Sequence, residues 1–439
     1  MSTARLLSWG KHPRFPQLPT SCNWRDELSR KLAQARQAQG TTLPYGAGLS
    51  YGDSCLAASD HVLHMRPLDR FISADWSAGV LVAEAGVTLE DILSVAIPRG
   101  WFLPVTPGTK YITLGGAIAN DVHGKNHHRR GTFGRHVRQL GLLRSDSGHQ
   151  VCSPGSEAGL FNATVGGLGL TGLIEWAEIQ LVPIRSSQID RVTQRFGDLD
   201  EFFALSAELD HKHEFCVAWI DCAATGNAIG RGIHMAGDFA EDGPLAVENP
   251  RKLTVPLTPP VSLVNGLMLR TFNELHWRKA PRTRSRARVG YAPFFYPLDA
   301  ILKWNRIYGP KGFQQYQAVI PEGEERTGIH ALLAAIADSR AGSFLAVLKR
   351  CGPARSPGLI SFPCSGTTLA LDFPQTDRLD TALFPRLDAI VRAAGGRIYP
   401  AKDAHMSGED FRSSYPGWSE VEALRDPALL SRFWERVTR

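Results

Sequence analysis

Apolar residues in the first 183 positions come in short runs, most of them closed by glycine or proline. Leu32 and Ala33 sit among charged residues at helical spacing with Glu27, so the pattern predicts a helix over 22–40, ended by Gly40. A short strand is expected at Thr41–Pro44, and further strands at His61–Met65 and Val80–Ala85. Thr88–Arg99 predicts a second helix, with Thr88 as its cap, acids in its first turn and Gly100 at its end. Trp101–Pro104 is short and extended. His136–Leu143 and His149–Cys152 read as a hairpin turning at Ser145–Gly148, and Glu175–Val182 as a strand stopped by Pro183.

The texture then changes. From 184 to 396 the strands become aromatic, as in Phe215–Ile220 and Phe313–Ile320, followed by Phe344–Lys349 and Thr368–Phe373. A helix is expected at His330–Ser339. Strand runs with segregated helices predict an α+β architecture. The last stretch, 397–439, is too small to fold alone and must dock on the rest. The chain therefore divides into 1–183, 184–396 and a returning segment, 397–439.

Three glycine clusters stand out in the first part. They are Tyr45–Asp53, the long stretch Pro104–Gly134, and Phe161–Ile174. Glycine is entropically costly in a plain connector. Its use here is close backbone approach to a flat or phosphorylated ligand, with main-chain N–H groups as donors. Pro104–Gly134 is read as loop-like, held to a core by Leu114, Ala117 and Ile118. The first cluster is not a dinucleotide fingerprint, because its third glycine falls early and no helix pattern follows.

At 439 residues two large domains are the expectation. The hydrophobic fraction of 43% and charged fraction of 21% are those of a soluble globular protein. No apolar run is long enough for a signal peptide or a membrane span, which points to the cytoplasm. Seven scattered cysteines without a C-x-x-C pair fit a reduced protein without structural zinc. The net charge of +6 is compatible with an anionic ligand or a peripheral membrane contact.

Two basic stretches need a reading. Trp277–Arg288 carries Arg278, Lys279, Arg282, Arg284, Arg286 and Arg288 and no acid. A solvated, mobile loop is the first expectation, and a landing site for phosphate or an anionic membrane the second. Nucleic acid is excluded, since the aromatic interleaving of a base-stacking surface is missing. His127 and His128 are not expected to bind metal, because neighbours in an extended chain point apart and no Cys or carboxylate cluster completes a sphere.

Taken together, PGT…GGAIA.D.HGKNHH…G.FG.HV, GL.GLTG.I, F.YPLD….WNR.YGP.GF.QYQ.VIP and YP.AKD resemble, in order, the vanillyl-alcohol-oxidase/p-cresol-methylhydroxylase (VAO/PCMH)-type FAD-binding flavoproteins. Within that family the likeness is to oxidases of polyprenylphosphoryl ribose, and it runs through nearly the whole chain. The resemblance implies a two-domain PCMH-type fold, with an antiparallel-sheet cap domain (184–396) inserted in an FAD domain. It implies FAD contacts at Gly46, Ala47, Gly48, Leu49, Ser50 and Tyr51. The second loop would add Pro107, Gly108, Thr109, Gly115, Gly116, Ala117, Asn120, His123 and Gly124, and the third cluster Gly172 and Ile174. Leu49 stands where some members attach FAD through histidine, so FAD is expected without a covalent bond.

The implied reaction is hydride loss from a secondary sugar hydroxyl to flavin N5, giving a ketone. The expected substrate position is C2 of a polyprenylphosphoryl ribose, as the first half of an epimerisation to arabinose. A separate NAD(P)H-dependent reductase would complete it. Alternatives are an oxidase or dehydrogenase of a soluble sugar, alditol, lactone or natural-product alcohol, and a non-catalytic flavin scaffold. Lys402, Tyr399 and His123 are the expected catalytic residues, with Lys402 as the base and Tyr399 also packed on the flavin. Gln315, Gln317, Lys349, Phe295 and Ala370 are expected to meet substrate. Ala370 and Phe295 depart from the family's usual cysteine and tyrosine.

Overall fold

The computed structural model describes residues 5–264 and 266–439. Three sheets carry the architecture. A small parallel sheet orders Leu18–Ser21, His61–His64 and Leu43–Tyr45. A five-stranded antiparallel sheet orders Phe71–Asp75, Val80–Glu84, Leu173–Gln180, Val137–Arg144 and Gly148–Cys152. The third is an eight-stranded antiparallel sheet. It orders Ser285–Gly290, Gln188–Phe196, Gly232–Phe239, Phe215–Ile220, Ala346–Cys351, Gly366–Pro374, Phe313–Pro321 and Arg397–Ile398.

Local chemistry explains many of the boundaries. Thr88 and Asp91 form a reciprocal capping box at the head of helix Leu89–Ala96, and Gly100 ends the following turn at φ +78°. That helix and the short helix Leu114–Ala119 share an apolar core with the five-stranded sheet. One face of the eight-stranded sheet is covered by helices Leu199–Leu209, Glu325–Ser339 and Phe384–Ala393, through Tyr316, Ala318, Leu369 and Leu371. Strand periodicity then turns Gln315, Gln317, Thr368, Ala370 and Asp372 to the opposite face.

The carboxy-terminal segment ties two regions together. Arg397–Ile398 extends the eight-stranded sheet beside Ala318 and Val319. Thr42 N–H donates to Ala428 O at 2.8 Å, and Leu430 N–H donates to Thr42 O at 3.0 Å. Arg436 donates to Asp53 at 2.8 and 3.0 Å and to Asp403 at 2.9 Å, joining the first glycine cluster to the Tyr399–Asp403 turn. Both carboxylates are buried, whereas the guanidinium side chain is 28% exposed. Arg436→Met should therefore destabilise the fold by about 3 kcal/mol, the low end for breaking a buried pair. Chemical denaturation checks it; an unchanged midpoint would show that the clamp carries no stability.

Three expectations are corrected. Trp277–Arg288 is not a mobile loop: it spans the end of helix Gly266–Lys279 and enters the edge strand Ser285–Gly290. Its arginines find carboxylates, Arg284 with Glu208 and Arg288 with Asp190 and Asp242. Pro104–Gly134 is not all loop, because it contains helices Leu114–Ala119 and His127–Arg130. That second helix removes the extended-chain argument at His127 and His128. His128, Asp210 and Cys216 place ligand atoms within 4.8 Å of one another, although three ligands fall one short of structural zinc. All seven cysteines are free, and among the described residues no helix is long and apolar enough to cross a membrane.

Candidate active site

A cavity of ≈ 920 Å³ lies between the glycine clusters and the uncovered face of the eight-stranded sheet. It receives nearly every residue singled out from the sequence. Gly46 to Tyr51, Pro107 to Thr109, Gly115, Gly116, Asn120, His123, Gly124, Gly172 and Ile174 line one side. Phe295, Gln315, Gln317, Lys349, Ala370, Tyr399 and Lys402 line the other. Ala117 is the exception. It is fully buried with Leu114 and Ile118 in the core, so its side chain supports the wall from behind.

The glycine side has the form of a cradle for a large, flat, phosphorylated group. Gly48 sits at φ +66°, where an added Cβ would fall 1.9 Å from the Tyr45 hydroxyl. Tyr45 is itself fixed by donation to Leu7 O at 2.7 Å. At Gly108, by contrast, a Cβ would meet nothing within 4 Å and would project into open space. Among the described residues, the amides of Gly46 through Ser50 have no main-chain or side-chain acceptor, which leaves a row of donors at the cavity wall. Thr113 caps Leu114–Ala119 through Gly116 N–H at 3.1 Å, fixing the Gly115–Gly116 pair. Asp121 braces the loop from behind, accepting from Gly134 N–H at 2.7 Å and Ser361 Oγ at 2.5 Å. The donor row, the open face at Gly108 and the size of the space fit FAD.

A polar cluster stands where the two sides of the cavity meet. Lys349 Nζ donates to His123 Nδ1 and to Gly124 O, each at 2.6 Å. Burial, then the Lys349, His127 and Lys402 charges, hold the His123 imidazole far below its usual pKa, so the ring is neutral. On the other side of the ring, His123 Nε2 lies 3.2 Å from the Gln317 amide nitrogen, so both ring nitrogens are engaged. Gln315 donates to Asp372 Oδ1 at 2.6 Å, directly across the strand pair. Tyr399 donates to Asn120 O at 3.0 Å and stacks on Phe362 at 4.5 Å, which places its ring 5.7 Å from His123.

Lys402 Nζ stands 3.7 Å from the centre of the Tyr51 ring. Enclosure in the cavity pushes its pKa down to about 8, against the pull of the Asp372 carboxylate. Burial pushes Asp372 up to about 7, opposed by the Gln315 hydrogen bond and by Lys402. The two groups titrate as a pair near neutrality, which suits proton transfer. Asp372 was not among the residues singled out from the sequence. Its signal was a carboxylate inside Leu369–Phe373, a strand otherwise apolar on both faces. Its Oδ2 has no partner among the described residues.

Phe295 is buried in a ring cluster with Phe102, Phe215 and Phe239 and presents an apolar edge to the cavity. Ala370 lies between Gln317 and Val347 in the sheet and leaves room above it.

Comparison with known proteins bears on the same features. Residues 19–153 match the model of an FAD binding domain. The chain is 34% identical to decaprenylphosphoryl-beta-D-ribose oxidase of Mycolicibacterium smegmatis, over 97% of this chain and 95% of that protein. It is 29% identical to L-gulonolactone oxidase of Mus musculus, over 40% of this chain and 39% of that one. An uncharacterised Streptomyces coelicolor protein is 35% identical over 78% of this chain and 97% of its own length. The chain, with its glycine cradle lining the cavity, is an FAD-dependent oxidoreductase and belongs to the VAO/PCMH-type flavoprotein family.

Proposed function

We propose that this enzyme oxidises a secondary hydroxyl of a sugar carried on a polyprenyl phosphate, at C2 of ribose, to the ketone. The observation that carries this reading is the gathering of Lys402, Gln315, Gln317 and the Lys349–His123 pair around one part of the cavity, with Asp372 held behind Gln315. The relative named for a decaprenylphosphoryl ribose aligns over 97% of the chain, cap region included. The lactone oxidase aligns over only 40%, so it speaks less for the substrate side. A scaffold without catalysis would have no use for a buried lysine tuned to about 8.

Gly46–Tyr51, Pro107–Thr109, Gly115, Gly116, Asn120, Gly124, Gly172 and Ile174 would hold FAD. When bound, FAD supplies the acceptor for the hydride leaving the carbinol carbon. The protein's own work is binding and proton handling. Gln315 and Gln317 present amides to sugar hydroxyls. Lys349 and Gln317 hold the His123 ring from its two nitrogens and fix its orientation at the cavity. Lys402 accepts the hydroxyl proton at Nζ, and the Asp372 carboxylate favours the ammonium that results. Tyr399 walls the site against water. Ala370, in place of a bulkier residue, widens the substrate side.

In this reading residues 1–183 and 397–439 form the FAD domain and 184–396 the cap. A separate NAD(P)H-dependent reductase would reduce the keto sugar to the arabinose epimer. Leu49 has no atom to bond the flavin, so acid precipitation should release all the yellow colour to the supernatant; colour kept in the pellet would identify a covalent flavin and contradict this assignment. For the regiochemistry, product formed from a prenylphosphoryl ribose and trapped with borodeuteride should carry deuterium at C2. Deuterium at another carbon would sink the C2 assignment.

A further inference from the structure

Large apolar side chains are concentrated on one outer face. Leu253, Leu257, Val261 and Leu275 are 71%, 77%, 67% and 65% exposed. The segment 253–263 runs beside 301–309: Leu253 pairs with Ile301, Val255 N–H donates to Leu302 O at 3.0 Å, and Leu263 N–H to Ile307 O at 2.9 Å. Helix Gly266–Lys279 follows it directly. Met268, Phe272 and Leu275 recur along one side of this helix and are exposed, while Leu269 and Asn273 are buried. The result is an apolar face made of two adjoining elements, larger than scattered surface leucines.

This face surrounds an opening of the cavity. Phe272 and Ile301 each line the cavity and are also exposed, so both stand at its mouth. Behind them the cavity is walled by Val217, Trp219, Trp304 and Phe344, an apolar passage leading toward Gln315 and Lys402. The charge of this region is basic even after pairing. Of the twelve Lys and Arg in residues 251–311, Lys252, Arg278, Arg284 and Arg288 meet carboxylates, and the other eight form no ion pair among the described residues. Glu274 is engaged by Arg231 and Arg278, and Asp299 accepts from Lys110 N–H. A second copy docked face to face would bring these cations together, which opposes self-association here.

We propose that this apolar face, with its basic rim, seats the enzyme on an anionic lipid bilayer and turns the cavity mouth toward the acyl chains. The leucines enter the interface and the cations meet the headgroups, a combination of two signals that gives stable but reversible binding. The docking stands on the surface alone; only the idea that a prenyl chain enters through the mouth rests on the proposed substrate.

The test is flotation of the flavin-loaded enzyme with phosphatidylcholine vesicles, with and without phosphatidylglycerol, and no substrate present. The wild type should float with the anionic vesicles and be released by high salt. Leu257→Asp and Leu275→Asp should each lower partitioning by about tenfold, with unchanged flavin content and thermal midpoint. Neither residue lines the cavity, so flavin reduction by a water-soluble short-prenyl substrate should stay at the wild-type rate. No flotation of the wild type, equal flotation with neutral vesicles, or a dimer that these variants dissociate would overturn the proposal. Flotation with no reduction by any prenylphosphoryl sugar would instead leave the docking standing and remove the substrate assignment.

Discussion

Lys402→Met will slow reduction of the bound flavin by on the order of 10²–10⁴-fold, the usual worth of a positioned general base, while the flavin stays in place. An ordinary lysine is charged at neutral pH and cannot take a proton. Lys402 is pushed down to about 8 by desolvation in the cavity, with Asp372 opposing. The neutral amine is the active form, so the rate should rise with pH and level off above about 8. Because Asp372 is pushed up to about 7, the limb belongs to the pair and not to the lysine alone. Asp372→Asn should displace that limb, and Lys402→Met should abolish it. Rapid mixing under nitrogen across a pH series measures both. A Lys402→Met enzyme with the wild-type rate and the same limb would remove this residue from the mechanism.

The second large effect lies on the glycine side, where two positions separate folding from cofactor binding. Gly108→Val places its side chain in open cavity space, since no protein atom lies within 4 Å of an added Cβ. The apoprotein should therefore keep its thermal midpoint. If FAD lies against this wall, the intrusion should weaken its affinity by about 10- to 100-fold, as overpacking of a close contact does. Gly48→Val acts differently. It combines φ +66° with a Cβ 1.9 Å from the Tyr45 hydroxyl, so the protein itself should be destabilised, with or without FAD. Flavin titration with a melting curve for each variant distinguishes the two. A Gly108→Val protein that binds FAD as tightly as wild type would place the cofactor elsewhere.

Parts of this structure were legible in the residues and parts were not, for physical reasons. Phe215–Ile220 is a strand with the predicted bounds because a run of buried apolar side chains admits little else. Thr88 announced its helix because capping is local. Leu18–Ser21 and Phe71–Asp75 went unread: one contains proline, and the other is exposed along its length. The paired glycines of Leu114–Ala119 disfavour a helix and predict loop, yet the Thr113 cap and the buried Leu114, Ala117 and Ile118 outweigh that cost. The arginines of Ser285–Gly290 repel one another in isolation and predict a solvated loop. Glu208, Asp190 and Asp242, which balance them, come from distant parts of the chain.

The site divides along the same line. Glycine density marked the cofactor side without any alignment. The substrate side was reached through resemblance, since Lys402 in a turn has no local signature. Asp372 was missed because its importance arises only when three strands bring one face together and bury it.

The most direct measurement is the visible spectrum of the flavin-loaded enzyme under nitrogen after addition of a prenylphosphoryl ribose. The account predicts loss of the oxidised-flavin bands with that substrate, no loss with free ribose or L-gulonolactone, and a much slower loss in Lys402→Met. Bands that persist with the prenylphosphoryl sugar but vanish with a soluble sugar or lactone would contradict it.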